Sequence, residues 1–370
     1  MLKVAFVHDW LVVSGGAEKV TREILRCFDA DVFSLIDFLD ETDRADILHG
    51  KHARTSFIQH LPFARSYYRY YLPFFPAAIE RLDLSAYDLI ISASYAVAKG
   101  VRVRPGQVHV CYIHTPMRYA WLREEDYLKD HHMRGPRAWL IRKTLERIRA
   151  WDLRTTSGVD HFIANSANVQ ERVKRFYGRG SDVLLPPVDT ERFMVFEGTR
   201  SNYLSASRLV PYKRVDRVIE AFRELPEQQL LVLGDGPDRE RLAALAPPNV
   251  TFLGHVPQSE LVAHIQHAKA VITAADEDLG LTPLEAHACG TPVIALRRGG
   301  YLETVVEGFN GIFFDACEPG SIAAAVRKFE ERGVSGSPTQ LRTGMEQYSA
   351  TRFRERFVEI VERTIREHGR

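Results

Sequence analysis

Cysteine is scarce in this chain of 370 residues, and its four cysteines lie far apart. None of them belongs to a C-x-x-C pair or has a histidine at zinc-ligand spacing; they are Cys27, Cys111, Cys289 and Cys317. This spacing argues against a disulfide framework and against a Cys/His metal site. We expect reduced thiols in a reducing compartment.

Long apolar runs are also lacking. No stretch approaches the ~18 uninterrupted apolar residues of a membrane-spanning helix. The opening residues, MLKVAFVHDWL, place His8 and Asp9 inside what would have to be the apolar part of a secretory signal. We therefore expect a cytoplasmic protein without such a signal.

Neither sign of charge is in excess, since the chain has 49 Lys and Arg residues and 48 Asp and Glu residues. No overall field attracts nucleic acid, and we expect no nucleic-acid partner. The chain is 45% hydrophobic, and at roughly 150 residues per domain its length suggests about two domains.

The N-terminal half alternates short apolar, β-rich runs with helical patterns. LKVAFVH is followed by the loop VSGGAE and by AEKVTREILRCF, whose apolar residues recur at three and four positions. DVFSLI, DLIISAS and VHVCYIH are further strand candidates. Such alternation predicts a parallel sheet wrapped by helices.

The pattern restarts near residue 200, after the turn-rich segment VLLPPVDTERFMVFEGTRSN. YLSASRL, QLLVL, NVTFLG, AVITAA and TPVIAL are the strand candidates there. We place one α/β domain at residues 1–193 and a second at 194–349, with an amphipathic helix over 350–370.

EDLGLTPLEA, residues 277–286, predicts the start of a helix. Thr282 suits the N-cap, Pro283 the first helical position, and Glu285 the third position of a capping box. Backbone amides at Leu281 and Thr282 also suit a phosphate, and Gly280 would let the backbone approach it closely. Capping and ligand binding are therefore both open for this stretch.

Asp276 and Asp278 spell D-x-D after a predicted strand, like the metal-binding signature of one class of sugar-nucleotide transferases. Short acidic matches arise by chance. We favour a solvated acidic loop, and no metal site.

Two further loops follow predicted strands. In SRLVPYKR, Arg208 and Lys213 could clamp a diphosphate or form a solvated basic turn. GDGP, Gly234 to Pro237, is a tight turn.

Two loops of the N-terminal half carry further candidate residues. His114 ends a strand and suits either a structural or a catalytic role. Gly15 and Gly16 lack the third glycine of a dinucleotide-binding loop.

Two stretches interleave arginine and lysine with aromatic residues, FARSYYRYYLPFF (63–75) and RGPRAWLIRKTLERIRAW (134–151). Membrane-surface segments have this composition. We favour the alternative, in which the aromatics are core and the arginines extend to solvent. Peripheral contact with the inner face of the membrane stays open as a hypothesis.

In this order and spacing, the motifs resemble the family 4 retaining glycosyltransferases of GT-B architecture over essentially the whole chain. The matching segments are GGAE at 15–18, HTPMRYAW from His114, NSANVQERV, PPVD, Arg208 with Lys213, GDGP, and Glu277 with Glu285. LPFFPAAIERLDLSAYDLIISAS and HTPMRYAW look closest to the bacterial mannosyltransferase-like branch of O-antigen and exopolysaccharide assembly.

The resemblance implies two Rossmann-like domains with parallel sheets facing across a central cleft, and a last helix that crosses back to the N-terminal domain. It implies that Arg208, Lys213 and the amides at Leu281 and Thr282 neutralise the donor's diphosphate. Glu285 would bind ribose and Glu277 the donor sugar. Leu279 departs from the phenylalanine usual in the family.

The resemblance also implies the remaining site residues. His114 and the Gly15-Gly16 loop would lie near the sugar and the acceptor. Gly234, Gly254 and Gly280 would belong to the donor site.

The implied reaction moves a hexose, favoured as mannose from GDP-mannose, to a glycan or polyprenyl-diphosphate-linked saccharide, without a cofactor or metal. UDP-glucose or a related UDP-sugar is the alternative donor. Three further functions stay open from the residues: a metal-dependent transferase using Asp276 and Asp278, a nucleotide-sugar-binding protein without transferase activity, and a phosphorylase or epimerase.

Overall fold

Strands form where β-branched and aromatic residues run together, as in VAFVH, LIISAS and VHVCYI. The computed structural model describes residues 2–122 and 135–368. Contacts divide the chain into unit 1, Met1–Pro187 with Thr351–Arg370, and unit 2, Val188–Ala350.

Unit 1 alternates strands and helices. In chain order they are β1 (Val4–His8), α1 (Gly16–Cys27), β2 (Ala30–Ser34), α2 (Glu41–Leu48), β3 (Arg54–Thr55), α3 (Ala64–Tyr67), α4 (Phe75–Ile79), β4 (Leu89–Ser94), β5 (Val108–Ile113), α5 (Arg118–Trp121), α6 (Gly135–Arg154), β6 (His161–Ala164), α7 (Ala167–Tyr177) and β7 (Asp182–Val183).

Unit 2 repeats the alternation. Its elements are β8 (Asn202–Ala206), α8 (Val215–Ala221), β9 (Leu230–Leu233), α9 (Arg239–Leu245), β10 (Val250–Gly254), α10 (Gln258–His267), β11 (Ala268–Thr273), α11 (Leu281–Ala288), β12 (Val293–Leu296), α12 (Tyr301–Thr304), β13 (Gly311–Phe314), α13 (Pro319–Arg332) and α14 (Pro338–Thr343). The last helix of the chain is α15 (Ala350–Glu367).

Both sheets are parallel and doubly wound. The seven-stranded sheet of unit 1 has the order β3-β2-β1-β4-β5-β6-β7, and the six-stranded sheet of unit 2 has the order β10-β9-β8-β11-β12-β13. The strand order therefore reverses between β1 and β4 in unit 1, and between β8 and β11 in unit 2. Ligands of such sheets bind beyond the carboxyl ends of the strands at this reversal. The predicted pair of Rossmann-like α/β domains is confirmed.

The last helix packs on unit 1. Its apolar side chains belong to the core cluster that also contains Phe6 of β1 and Ile91 of β4; they are Phe353, Phe357, Ile360 and Val361. The hydrophobic face of α15 therefore covers the sheet of unit 1, as the predicted return of the last helix to the N-terminal domain requires.

The boundary between the two units follows Pro187. The sequence places it later, between residues 193 and 194. The amide of Val188 donates to the carbonyl of Tyr348 over 2.8 Å. The guanidinium of Arg342 donates to the carbonyls of Thr190 and Phe193. These bonds attach residues 188–193 to unit 2.

Helix length and apolarity bear on membrane insertion. Within the described ranges, no helix combines the length and the apolar character needed to cross a lipid bilayer.

Candidate functional site

In unit 2, two of the predicted site residues contact each other. Lys213 lies on the loop after β8 and Glu277 on the loop after β11, the two strands between which the order reverses. The ammonium Nζ of Lys213 is 2.5 Å from Oε1 of Glu277. The fold therefore brings a cation and a carboxylate to the sheet end where a ligand is expected.

Glycines pack the loop of Arg208 against its neighbours. Gly234 has a φ of 125°, and a Cβ there would lie 1.9 Å from the carbonyl oxygen of Ser207. Its amide donates to the carbonyl of Gly254 over 2.8 Å. Only glycine allows this approach. Gly234 and Gly254 thus hold together the loops that follow β8, β9 and β10, and the Arg208 side chain stays exposed.

The start of α11 differs from the prediction. The N-cap is Gly280, with a φ of 85°, and it makes no side-chain capping bond, so Thr282 is the second residue of the helix. A Cβ on Gly280 would lie 2.4 Å from the ring of Tyr301. The left-handed backbone at Gly280 starts the helix earlier than Thr282 and Pro283 suggest. Leu281 and Thr282 remain in the first turn, where N–H groups lack intrahelical partners.

The capping box predicted for Glu285 is therefore wrong. Glu285 lies in the second turn of α11, beyond the reach of a capping role, and its side chain is buried. Its binding to ribose stays a prediction.

Sequence reasoning missed the loop that supports Glu277. The amide of Gly300 donates to the Glu277 carbonyl over 2.9 Å. A Cβ on Gly299 would lie 2.4 Å from the same oxygen. The available signal was the glycine pair soon after the strand TPVIAL. These two glycines fix the backbone of Glu277.

In unit 1, His114 follows β5 and is buried between aromatic rings. Its ring centroid is 5.1 Å from that of Tyr112 and 5.9 Å from that of Tyr95. Burial, reinforced by nearby His8, lowers the pKa of His114 to about 3. Its Nε2 atom has no hydrogen-bond partner among residues 2–122 and 135–368. The imidazole is neutral at pH 7, so its Nε2 atom can donate or accept a hydrogen bond according to the tautomer.

Gly15 and Gly16 open α1, next to a buried carboxyl. Gly15 is the N-cap, Gly16 is the first helical residue, and a Cβ on Gly15 would lie 2.9 Å from Oε2 of Glu18. Oε1 of Glu18 is 3.8 Å from Nε2 of His8. Burial raises the pKa of Glu18 to about 7 and lowers that of His8 to about 4. Glu18 of the GGAE motif thus lies beside His8, the last residue of β1.

Asp9 links the two loops at the strand reversal of unit 1. Its carboxylate accepts the amides of four consecutive residues after β4, Tyr95 to Ala98, over 2.6 to 2.9 Å. Such a row of amides is an anion-binding concavity. In unit 1 the chain's own carboxylate occupies it.

The acidic loop after β11 contains Asp276 and Asp278. Within the ranges that the structure describes, no group of three His, Cys, Asp or Glu side chains is placed to hold a metal ion. Asp276 and Asp278 therefore form no such group with other described side chains.

Two family models match adjacent parts of the chain. The model described as glycosyltransferase family 4 matches residues 14–192, and the model described as glycosyl transferases group 1 matches residues 188–351. This chain belongs to the family 4 glycosyltransferases.

Curated relatives of this glycosyltransferase include mannosyltransferases. One is the GDP-mannose-dependent alpha-(1-6)-phosphatidylinositol monomannoside mannosyltransferase of Mycolicibacterium smegmatis, 36% identical over 41% of this chain and 50% of the relative. The protein of that name from Mycobacterium tuberculosis is 33% identical over 47% of this chain and 53% of its own length. The chain thus spans about half the length of these relatives.

Solved structures share the fold of this glycosyltransferase. Anabaena Alr3699/HepE in complex with UDP and glucose has a TM-score of 0.72 at 18% identity, over 98% of this chain and all of that one. Sucrose-phosphate synthase from Thermosynechococcus elongatus has a TM-score of 0.74 at 15% identity, over 99% of this chain and all of that one. At such identities the likeness concerns the fold alone.

The glycosyltransferase also exposes an aromatic surface in unit 1. Four side chains between residues 63 and 74 are more than half exposed: Phe63 (79%), Tyr67 (55%), Tyr70 (75%) and Phe74 (53%). The prediction that these aromatics are core is wrong, although it is right for Tyr68 and Phe75. A 3₁₀ helix covers 68–74. Tyr67 is the N-cap of this helix, and its ring centroid lies 5.9 Å from that of Tyr70, so the two exposed rings lie side by side.

The second basic-aromatic stretch divides in the same way. Arg134 lies outside the described residues. On α6, Trp139 and Leu140 are 63% and 61% exposed, whereas Ile148 and Trp151 are buried in the core of unit 1.

Proposed function

We propose that this chain is a retaining hexosyltransferase that moves a hexose from a nucleotide-sugar to a glycan or lipid-linked saccharide in cell-surface polysaccharide assembly. The contact between Lys213 and Glu277 supports it most strongly. A cation, a carboxylate and the first turn of α11 meet at the end of one sheet. A nucleotide-sugar offers the complementary diphosphate and sugar hydroxyls.

In the proposed reaction the acceptor hydroxyl attacks the anomeric carbon on the face that the diphosphate leaves. The bond from that carbon to the diphosphate oxygen breaks, and the hydroxyl proton passes to the departing oxygen. Negative charge grows on the diphosphate, where Arg208, Lys213 and the amides of α11 would stabilise it. The rest of the rate acceleration would come from holding the acceptor hydroxyl close to the anomeric carbon. This mechanism calls for neither a cofactor nor a metal ion.

The favoured donor is GDP-mannose, because both mycobacterial relatives are GDP-mannose-dependent mannosyltransferases. UDP-glucose or a related UDP-sugar is the alternative. Glu277 would hold the sugar and Glu285 the ribose. His114 and the Gly15-Gly16 loop would face the sugar and the acceptor.

Donor binding and transfer can be measured together. We expect GDP-mannose to raise the melting temperature more than UDP-glucose or ADP-glucose, since a ligand at 100 times its Kd stabilises by about 2.7 kcal/mol. We also expect mannose transfer to a polyprenyl-diphosphate-linked saccharide in excess chelator.

Each competing function gives a different result. Stabilisation by UDP-glucose alone would favour a UDP-sugar donor. Loss of turnover in chelator that manganese restores would contradict the metal-free mechanism. Donor binding with no transfer to any saccharide would indicate a nucleotide-sugar-binding protein, and no binding of any donor would reject the proposed function.

We also propose that the protein works in the cytoplasm, on the inner face of the membrane. The aromatic surface (Phe63, Tyr67, Tyr70 and Phe74) carries the exposed cations Arg65 and Arg69. No acidic residue occurs between Asp46 and Glu80. Exposed aromatics beside cations suit the interface of an anionic bilayer, which would hold a polyprenyl-linked acceptor.

Vesicle co-sedimentation tests this contact. We expect the protein to pellet with anionic vesicles at low salt and to be released as salt rises, because screening weakens the attraction. Phe63→Ser with Tyr70→Ser should abolish pelleting. Leu302→Ser with Val306→Ser is the matched control, since both side chains are exposed in unit 2. A wild-type protein that stays in the supernatant, or equal pelleting of both variants, would contradict the proposal.

A further inference from the structure

The ion pair of Lys213 and Glu277 occupies the place where the proposed function needs a free cation. The ammonium that would meet the donor's diphosphate is already 2.5 Å from a carboxylate oxygen. The Lys213 side chain is 23% exposed and that of Glu277 is 13% exposed. A pair this shielded from water is screened less by salt than a fully exposed one.

The backbone holds both partners of this pair. Lys213 ends a short 3₁₀ turn, Pro211–Lys213, and its amide donates to the Val210 carbonyl over 3.0 Å. On the other loop, Gly300 donates to the Glu277 carbonyl, and Gly299 leaves no room for a Cβ beside it. The two loops follow neighbouring strands, β8 and β11. The fold therefore sets the distance between the two charged groups.

The two members of the pair have opposite effects on a diphosphate. Lys213 attracts it as a point charge. Glu277 is an anion beside the same ammonium, so it repels the diphosphate and competes for the Lys213 donors. If Glu277 only held the donor sugar, it would have no effect on a nucleoside diphosphate, which has no such sugar.

We propose that Glu277 acts as a built-in competitor for Lys213, which weakens the binding of the nucleoside diphosphate product and returns the ammonium to its resting partner when the product leaves. This inference rests on the proposed function, because it takes the diphosphate site to be beside Lys213. It gives Glu277 a positioning role in addition to the sugar-binding role implied by the family resemblance. Donor binding would be helped by the sugar contacts of Glu277, which the product lacks.

The test measures the affinity of the full chain for GDP, UDP and ADP by calorimetry. For the nucleotide that the wild type binds, Glu277→Gln should lower Kd by about threefold or more, the coupling expected of a partly exposed ion pair. Lys213→Met should raise Kd by about tenfold. Adding Glu277→Gln to Lys213→Met should then lower Kd by less than Glu277→Gln does in the wild type, because only the direct repulsion remains once the competition for Lys213 is gone.

The control removes the same charge elsewhere. Glu331 is an exposed acid on α13 in unit 2, and Glu331→Gln should leave Kd unchanged. An unchanged or higher Kd in Glu277→Gln would overturn this inference while leaving the proposed function intact. An equal gain in Glu331→Gln would also overturn it, because the effect would then be one of overall charge. A wild-type protein that binds none of the three nucleotides would overturn the proposed function and this inference with it.

Discussion

Arg208→Met is expected to lower kcat/KM for sugar transfer by about 100-fold or more, the usual loss when one charge-stabilising donor is removed from a transition state. The Arg208 side chain is exposed, and its loop is held by Gly234 and not by the guanidinium. Within the described ranges the guanidinium makes no ion pair. The melting temperature should therefore stay the same while turnover falls.

The measurement is donor-dependent transfer together with a thermal melt. Arg332→Met is the matched control, because Arg332 is an exposed arginine at the end of α13 in the same unit. Arg208→Lys should recover part of the activity, since lysine keeps the charge and loses the fork of donors. Activity within about threefold of the wild type in Arg208→Met would remove Arg208 from the proposed catalytic set.

The sequence was most informative about long, regular segments. DLIISAS predicts β4, and the closing amphipathic pattern predicts α15, because each has enough apolar residues at one period to define a buried face. The two-residue strands β3 and β7 have too few residues for any period. The strand β13, GIFF, is a short buried run that periodicity does not distinguish from a piece of helix.

The candidate site was predictable residue by residue but not as an arrangement. Lys213 and Glu277 are 64 residues apart in the chain, and their contact depends on β8 and β11 being neighbours in the sheet. The strand order of unit 1 likewise brings His8 and His114 near each other. Glycine can adopt a positive φ but does not have to, so the sequence does not predict the backbone conformation of Gly280. Its positive φ starts the helix before the expected cap.

A buried ion pair in unit 1 offers the strongest test of stability. The Lys99 ammonium is 2.8 Å from Oδ1 of Asp152, and both side chains are almost fully buried. Trp121 Nε1 and the Tyr177 hydroxyl both donate to Oδ2 of Asp152 over 2.7 Å. Lys99 also donates to Thr155 over 3.0 Å. This cluster joins residues on α5, α6 and α7.

Lys99→Met should lower the free energy of unfolding of unit 1 by about 3–5 kcal/mol, because it leaves the Asp152 carboxylate buried without its counter-ion. Urea denaturation followed by tryptophan fluorescence reports this unit, since all four tryptophans of the chain lie before residue 188.

The matched control is the ion pair of Lys143 and Glu146 on α6, at 2.7 Å with each side chain about half exposed. Lys143→Met should lower the free energy of unfolding by less than about 1 kcal/mol, because water already solvates the charges of Lys143 and Glu146. If Lys99→Met lowered the free energy of unfolding no more than Lys143→Met does, burial would not explain the contribution of the Lys99 pair to stability. Replacing both members, Lys99→Met with Asp152→Asn, should recover part of the loss, since the asparagine oxygen can still accept from Trp121 and Tyr177. The main cost of the single change is the unpaired charge, and the double change removes that charge.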